Sequence, residues 1–77
     1  MIAELDTVVL TRPVPERGLA AGDVGAVVHA YSSAAYEVEF ITGGGETVAL
    51  LTLGAADVRA LLPSEILHAR ELAPSER

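Results

Sequence analysis

The clearest hydrophobic pattern lies near the middle of the chain, where apolar and acidic residues alternate one by one. Tyr36, Val38 and Phe40 occupy every second position, and Glu37 and Glu39 stand between them. Successive side chains of a β-strand point to opposite faces, so a period of two predicts a strand with one buried face. We therefore expect the two aromatic rings and Val38 to face a core and both glutamates to face water.

Four further apolar runs, bounded by proline, glycine or polar residues, predict four more strands. They cover residues 8–10, 24–31, 47–53 and 58–62. Gly25 lies inside the second run, where the absence of a side chain lets a strand bend or another backbone approach closely. The glycine-rich residues 42–45 predict a hairpin loop between the third and fourth strands.

Two of the connections also carry a structural signal. Residues 13–23 contain two prolines together with Gly18 and Gly22. Because prolines disfavour a helix and glycines permit left-handed turns, we expect a long, ordered loop without helix. Residues 54–57 predict a single tight helical turn before the last strand.

The composition changes beyond residue 62. Ser64 is a suitable N-cap, Glu65 favours the positive end of a helix, and residues 66–72 can continue one. A helix of about two turns is marginal in water, so we expect it to dock on the sheet or on a partner. The chain then divides into a β domain, residues 1–62, and a helical tail, residues 63–77.

The order of these elements matches a small five-stranded SH3-like barrel, which is an all-β fold. In that fold a long first loop, two hairpins and a one-turn helix before the last strand close two orthogonally packed sheets. An OB-like barrel is the main alternative, although it normally has a longer chain and a genuine helix between its third and fourth strands. We predict the SH3-like barrel, followed by a short C-terminal helix.

Two motifs resemble a family of short bacterial proteins that is classed as a domain of unknown function. They are Leu-Asp-Thr-Val at residues 5–8 and Gly-Asp-Val-Gly-Ala-Val-Val at residues 22–28, and the resemblance extends over residues 4–62. It implies an SH3-like barrel similar to that of the nitrile hydratase β subunit and to ribosomal KOW modules. It implies no activity. Genes of this kind often lie beside genes for other small proteins of unknown role, including suspected toxins, and the resemblance therefore suggests an immunity or antitoxin role.

Length and cysteine content bear on how the chain is stabilised. A domain of 77 residues buries only about 60% of the surface that its unfolded chain exposes. Its core is therefore thin, and the chain contains no cysteine that could form a disulfide. Association with a protein partner, or with further copies of the same chain as a homo-oligomer, therefore becomes a reasonable expectation.

The charge of the chain indicates which partners to expect. The net charge is −6, there is no lysine, and the five arginines are scattered. Nucleic acid is excluded as an expected ligand because clustered basic residues supply most of the affinity for phosphates. A basic protein is favoured instead.

The sequence begins without a signal-peptide pattern and contains no run that could span a bilayer, so we expect no membrane association and a cytoplasmic location.

Several polar residues could in principle support chemistry, but each has a simpler explanation. Glu37 and Glu39 stand about 7 Å apart on one strand face, yet a barrel this small offers little cavity in which their pKa values could shift. His29 and His68 lack the spacing of a metal motif. Asp23 lies in a turn between glycines, where it is best explained as a determinant of the fold. We expect no catalytic residue, no metal and no cofactor.

The sequence is most consistent with a non-enzymatic protein-binding module. More specifically, we expect such a module to neutralise or chaperone one protein partner, as an antitoxin-like immunity protein does. The alternative hypothesis is a structural or accessory subunit of a larger enzyme complex. The candidate contact residues come from the first loop, the second and third strands and the tail. They are Glu16, Arg17, Leu19, Tyr31, Glu37, Glu39, Ile66 and Leu72.

Overall fold

The computed structural model describes residues 2–72, which form an all-β chain with five strands. The strands are β1 (Thr7–Leu10), β2 (Val24–Ser32), β3 (Ala35–Ile41), β4 (Thr47–Gly54) and β5 (Val58–Ala60). All five predicted strands are present. β5 ends at Ala60 and is two residues shorter than the apolar run predicted, whereas β3 extends one residue further at each end. Within the described residues, no helix is long and apolar enough to cross a membrane.

The strands form one antiparallel sheet in the order β4-β3-β2-β1-β5. β2, β3 and β4 follow one another as a meander, whereas β1 lies beside β2 across the long first loop and β5 returns beside β1. Register shifts between Val27 and His29 and between Ala30 and Ser32 interrupt the β2–β3 ladder. β4 and β5 are the edges of the sheet. No ladder within residues 2–72 joins these two edges, so the described sheet is not a closed barrel.

One hydrophobic core collects side chains from every strand and from the first loop. Tyr36, Val38 and Phe40 are all buried, as their alternation predicts. Gly25 lies against this row from the neighbouring strand. A Cβ atom there would stand 2.7 Å from Val38 Cγ1 and 2.9 Å from the carbonyl oxygen of Glu39. The predicted close approach of backbone at Gly25 is confirmed.

The first loop is ordered, as predicted, but it contains a short 3-10 helix, Pro15–Arg17. The expectation that prolines exclude helix here was wrong, because proline is well tolerated in a first helical turn, where its missing N–H has no intrahelical acceptor. Gly18 ends the turn with a φ of +72°. Val14 and Leu19 form a bridge across its base, and both side chains are buried in the core.

The predicted C-terminal helix is absent from the described part of the tail, residues 61–72, and residues 73–77 lie outside the described residues. Glu65 lies in a turn at the point where the helix was expected to begin. Its backbone N–H donates to the carbonyl oxygen of Leu62, its carboxylate accepts from the backbone N–H of Leu62, and both carboxylate oxygens accept from Arg59. These contacts fix one turn, and a helix of two turns is marginal without further packing to support it.

Candidate partner-binding surface

A polar cluster lies on the side of the sheet that faces away from the core, where Glu37 of β3 stands between two neighbouring strands. Its Oε1 accepts hydrogen bonds from the Tyr31 hydroxyl and from Thr52 Oγ1, both at 2.9 Å. Thr52 is also the direct cross-strand partner of Glu37. The bond to Glu37 raises the pKa of the Tyr31 hydroxyl, because the carboxylate stabilises the protonated phenol. Three strands therefore hold one carboxylate in place.

The next carboxylate along β3 is held in the same way. Glu39 Oε2 accepts a hydrogen bond of 2.7 Å from Thr47 Oγ1. Leu50 stands directly opposite Glu39 in the β3–β4 ladder, and about half of it is exposed. We call the set Tyr31, Glu37, Glu39, Leu50 and Thr52 the outer face. Both of its glutamates are half-buried and point away from the core, as their alternation predicts.

His29 extends this face toward the N-terminus. Its Nδ1 lies 3.0 Å from Glu4 Oε2, and its ring meets the Tyr31 ring edge-on at a centroid distance of 4.6 Å. The imidazole is exposed, as expected for a strand histidine on the outward side. Within the described residues, no group of three or more histidines, aspartates or glutamates is placed to hold a metal ion.

Three arginines form ion pairs with carboxylates. Arg12 Nε lies 2.7 Å from Asp57, Arg59 contacts both oxygens of Glu65, and Arg70 contacts both oxygens of Asp23. Hydrogen bonding by these guanidinium groups lowers the pKa of all three carboxyls, that of Glu65 to about 2.

The remaining carboxylates of residues 2–72 have no arginine partner within that part of the chain. They are Glu4, Asp6, Glu16, Glu37, Glu39, Glu46 and Glu71. Because most of the arginines are already neutralised in ion pairs, these unpaired carboxylates make the electrostatic potential at the surface negative. The surface is therefore acidic on the outer face and around its rim.

An open groove of about 800 Å³ runs along the other end of the sheet, between the first loop, the β3–β4 hairpin and the tail. Its floor is apolar and includes Phe40 and Val48, and its walls include Asp23 and the tail residues 67–72. Asp23 accepts a hydrogen bond of 2.8 Å from the backbone N–H of Ala20. This bond supports the prediction that Asp23 determines the local fold.

A comparison of sequences decides the family. The family described as Domain of unknown function (DUF4926) matches residues 4–60. The chain belongs to this family. The matched DUF4926 region contains all five strands and the first loop, and it ends with β5. The tail lies beyond it, as the resemblance in the sequence indicated. No curated protein and no solved structure matches the chain.

The DUF4926 fold brings some of the predicted contact residues together and separates others. Tyr31 and Glu37 are bonded to each other, and Glu39 follows on the same face. Glu16 and Arg17 are exposed on the 3-10 helix of the first loop, away from that cluster. Leu19 is buried in the core and offers no exposed surface, because it pairs with Val14 across the base of the loop.

The two predicted contact residues in the tail have different environments. Ile66 is 91% exposed, whereas Leu72 is half-buried and lines the groove. The sequence analysis missed the pairing of Arg70 with Asp23, which joins residues 47 positions apart. No local pattern encodes such a contact. Arg70 is one of two arginines in residues 63–77, and its position in the sequence does not indicate a partner.

Proposed function

We propose that the chain is a small acidic module, without catalysis of its own, that binds a basic protein partner and neutralises or chaperones it. The observation that carries this proposal is the outer face, where two carboxylates without an arginine partner stand beside an exposed tyrosine and leucine. Acidic groups on a rim of mixed polarity favour rapid capture of a basic surface. A protein partner and a cytoplasmic location both stay predictions.

The geometry of the outer face supports binding because its carboxylates are already oriented. The Glu37 carboxylate accepts hydrogen bonds from two hydroxyl groups, and the Glu39 carboxylate accepts one from a third. Each carboxylate keeps further lone pairs that can accept bonds from an arginine or lysine of a partner. A side chain held in one geometry before binding loses less conformational entropy when the complex forms.

For the fold itself we propose the finer description of a partly open SH3-like barrel. The strand order β4-β3-β2-β1-β5, the long loop after β1 and the single turn before β5 agree with that topology. All five strands contribute to one core. The register shifts along β2 are of the kind that bend a strand around such a core.

The experiment begins with capture of a partner by the tagged full chain from its native lysate, with elution by a salt gradient and identification by mass spectrometry. Association with the purified partner is then followed by stopped-flow at several salt concentrations. We expect the association rate to fall steeply with salt, because screening weakens steering by charge.

A pair of matched variants locates the site. Glu37→Gln with Glu39→Gln removes two charges from the outer face and keeps its hydroxyl contacts, and we expect it to slow association several-fold. Glu16→Gln with Glu46→Gln removes the same charge away from the outer face and should slow association clearly less. Equal slowing by both pairs contradicts the outer face as the site, and recovery of the bait alone contradicts capture altogether.

A second function is favoured by a different observation, the apolar surface beyond β5. Leu62 is 52% exposed, Ile66 is 91% exposed and Leu67 is 63% exposed. An accessory subunit of a larger enzyme complex would bury such residues against its partner. If the chain is such a subunit, we expect the association rate in the same stopped-flow measurement to depend little on salt. We also expect Ile66→Ser, rather than the glutamate variants, to weaken the complex.

A further inference from the structure

The tail beyond the Glu65 turn crosses back over the DUF4926 domain with an irregular backbone. Residues 67–72 form one wall of the groove, opposite Phe40 and Val48. The tail therefore bounds the groove on one side, and the space between the tail and the sheet stays open. The way in which that segment is held indicates what this end of the sheet recognises.

Arg70 anchors the segment through a two-pronged contact. Its Nε donates to Asp23 Oδ1 at 2.8 Å and its Nη2 donates to Asp23 Oδ2 at 2.5 Å. Nη2 also donates to the carbonyl oxygen of Gly18 at 3.0 Å. Paired parallel bonds of this kind select the planar guanidinium over the ammonium of lysine. The acceptors are held in place independently of the tail, since Asp23 is bonded to Ala20 and Gly18 ends the 3-10 turn.

The rest of the segment is weakly attached. Arg70 supplies every hydrogen bond that residues 66–72 make with the rest of the described chain. Ile66 and Leu67 remain mostly exposed, and among the side chains of residues 66–72 only that of Leu72 is half-buried. Loss of one ion pair would therefore release the tail, and little apolar burial opposes that release.

We propose that the acceptors Asp23 and Gly18, beside the groove, are a recognition site for an arginine-bearing segment of the basic partner, and that Arg70 of the tail occupies this site as an internal substitute ligand. The occupant carries an arginine for Asp23 and Gly18 and an aliphatic residue two positions later, as Arg70 and Leu72 do. The inference rests on the proposed function, in which the partner is a basic protein, and it adds a specific anchor to the general attraction of the outer face.

Occupancy by the tail sets a threshold for binding. A site that is open for only a tenth of the time binds an external ligand about tenfold more weakly than a free site does. A tethered competitor acts at an effective concentration on the order of 1 mM, so weak external ligands are excluded. A segment that also contacts the outer face can displace the tail, whereas an isolated arginine cannot.

The test titrates a synthetic peptide of residues 64–72 into isotope-labelled full-length protein and follows backbone amide shifts by NMR. In the Arg70→Ala variant the tail has lost its anchor, and we expect the peptide to bind about tenfold more tightly than to the wild type. The shifts should centre on Gly18, Ala20 and Asp23. A peptide carrying Arg70→Lys should bind more weakly, and one carrying Arg70→Ala should not bind.

The double variant Arg70→Ala with Asp23→Asn is the control for the anchor, because asparagine keeps an acceptor for Ala20 and removes the charge. Its amide spectrum reports whether it is folded, and we expect it to lose the peptide. Equal peptide affinity in the wild type and Arg70→Ala, or binding that survives Asp23→Asn, overturns the inference. These results do not depend on the lysate capture. A partner whose binding ignores Arg70 and Asp23 would leave the proposed function standing without this site.

Discussion

Single residues in this domain are constrained most tightly where β2 meets β3. Replacing Gly25 by alanine places a Cβ atom 2.7 Å from Val38 Cγ1 and 2.9 Å from a backbone oxygen, so the two strands must separate. We expect Gly25→Ala to lower the free energy of unfolding by about 1–3 kcal/mol, the usual cost of overpacking. Gly44→Ala is the matched control, because the nearest atom to its Cβ is 3.8 Å away. Equal urea midpoints for the two variants would contradict this explanation.

At the scale of elements, the turn between β4 and β5 is organised by one carboxylate. Asp57 Oδ2 accepts from the backbone N–H of Gly54 at 3.0 Å, and Asp57 Oδ1 accepts from Arg12 at 2.7 Å. We expect Asp57→Ala to destabilise the fold by about 1 kcal/mol, as loss of a capping side chain does. Asp57→Asn keeps an acceptor for Gly54 and should cost less in a urea titration. Identical losses for both variants would show that the charge, and not the turn, matters.

The strands could be predicted from sequence because their signal is local. The alternation from Tyr36 to Phe40 records directly which side of β3 faces the core. The tail could not be predicted in this way. Residues 64–72 have local helix propensity, but Glu65 bonds Arg59 and Arg70 bonds Asp23, and those partners are set by the fold. The contact between Arg70 and Asp23 was missed for the same reason, while the outward orientation of Glu37 and Glu39 could be predicted because both belong to a local pattern.

At the scale of the whole molecule, the ion pairs attach the irregular segments to the sheet. Arg12 and Asp57 connect the end of β1 to the turn before β5, and Arg70 connects the tail to the first loop. Arg59 holds the turn from which the tail departs. Each pair is exposed on at least one side, so its strength depends on salt. The core therefore stabilises the sheet, and these charged contacts position the segments around it.

This division of roles predicts how stability depends on pH. The contact with Arg59 lowers the pKa of Glu65 to about 2, whereas an unfolded glutamate titrates near 4.3. A carboxyl whose folded pKa is depressed stabilises the folded state above its unfolded pKa and loses that contribution as the pH falls toward its folded pKa.

We therefore expect the difference in urea midpoint between the wild type and Arg59→Gln to be constant above about pH 6. It should shrink from about pH 5 toward pH 2, because the unfolded chain then binds a proton at Glu65 that the folded wild type binds only near its pKa of about 2. Arg17→Gln removes the same charge from an arginine without an ion pair in the described residues, and its smaller difference should not vary with the protonation of Glu65. A constant difference for Arg59→Gln across the whole range would mean that Arg59 acts by packing its side chain, and that the turn at Glu65 forms without the ion pair.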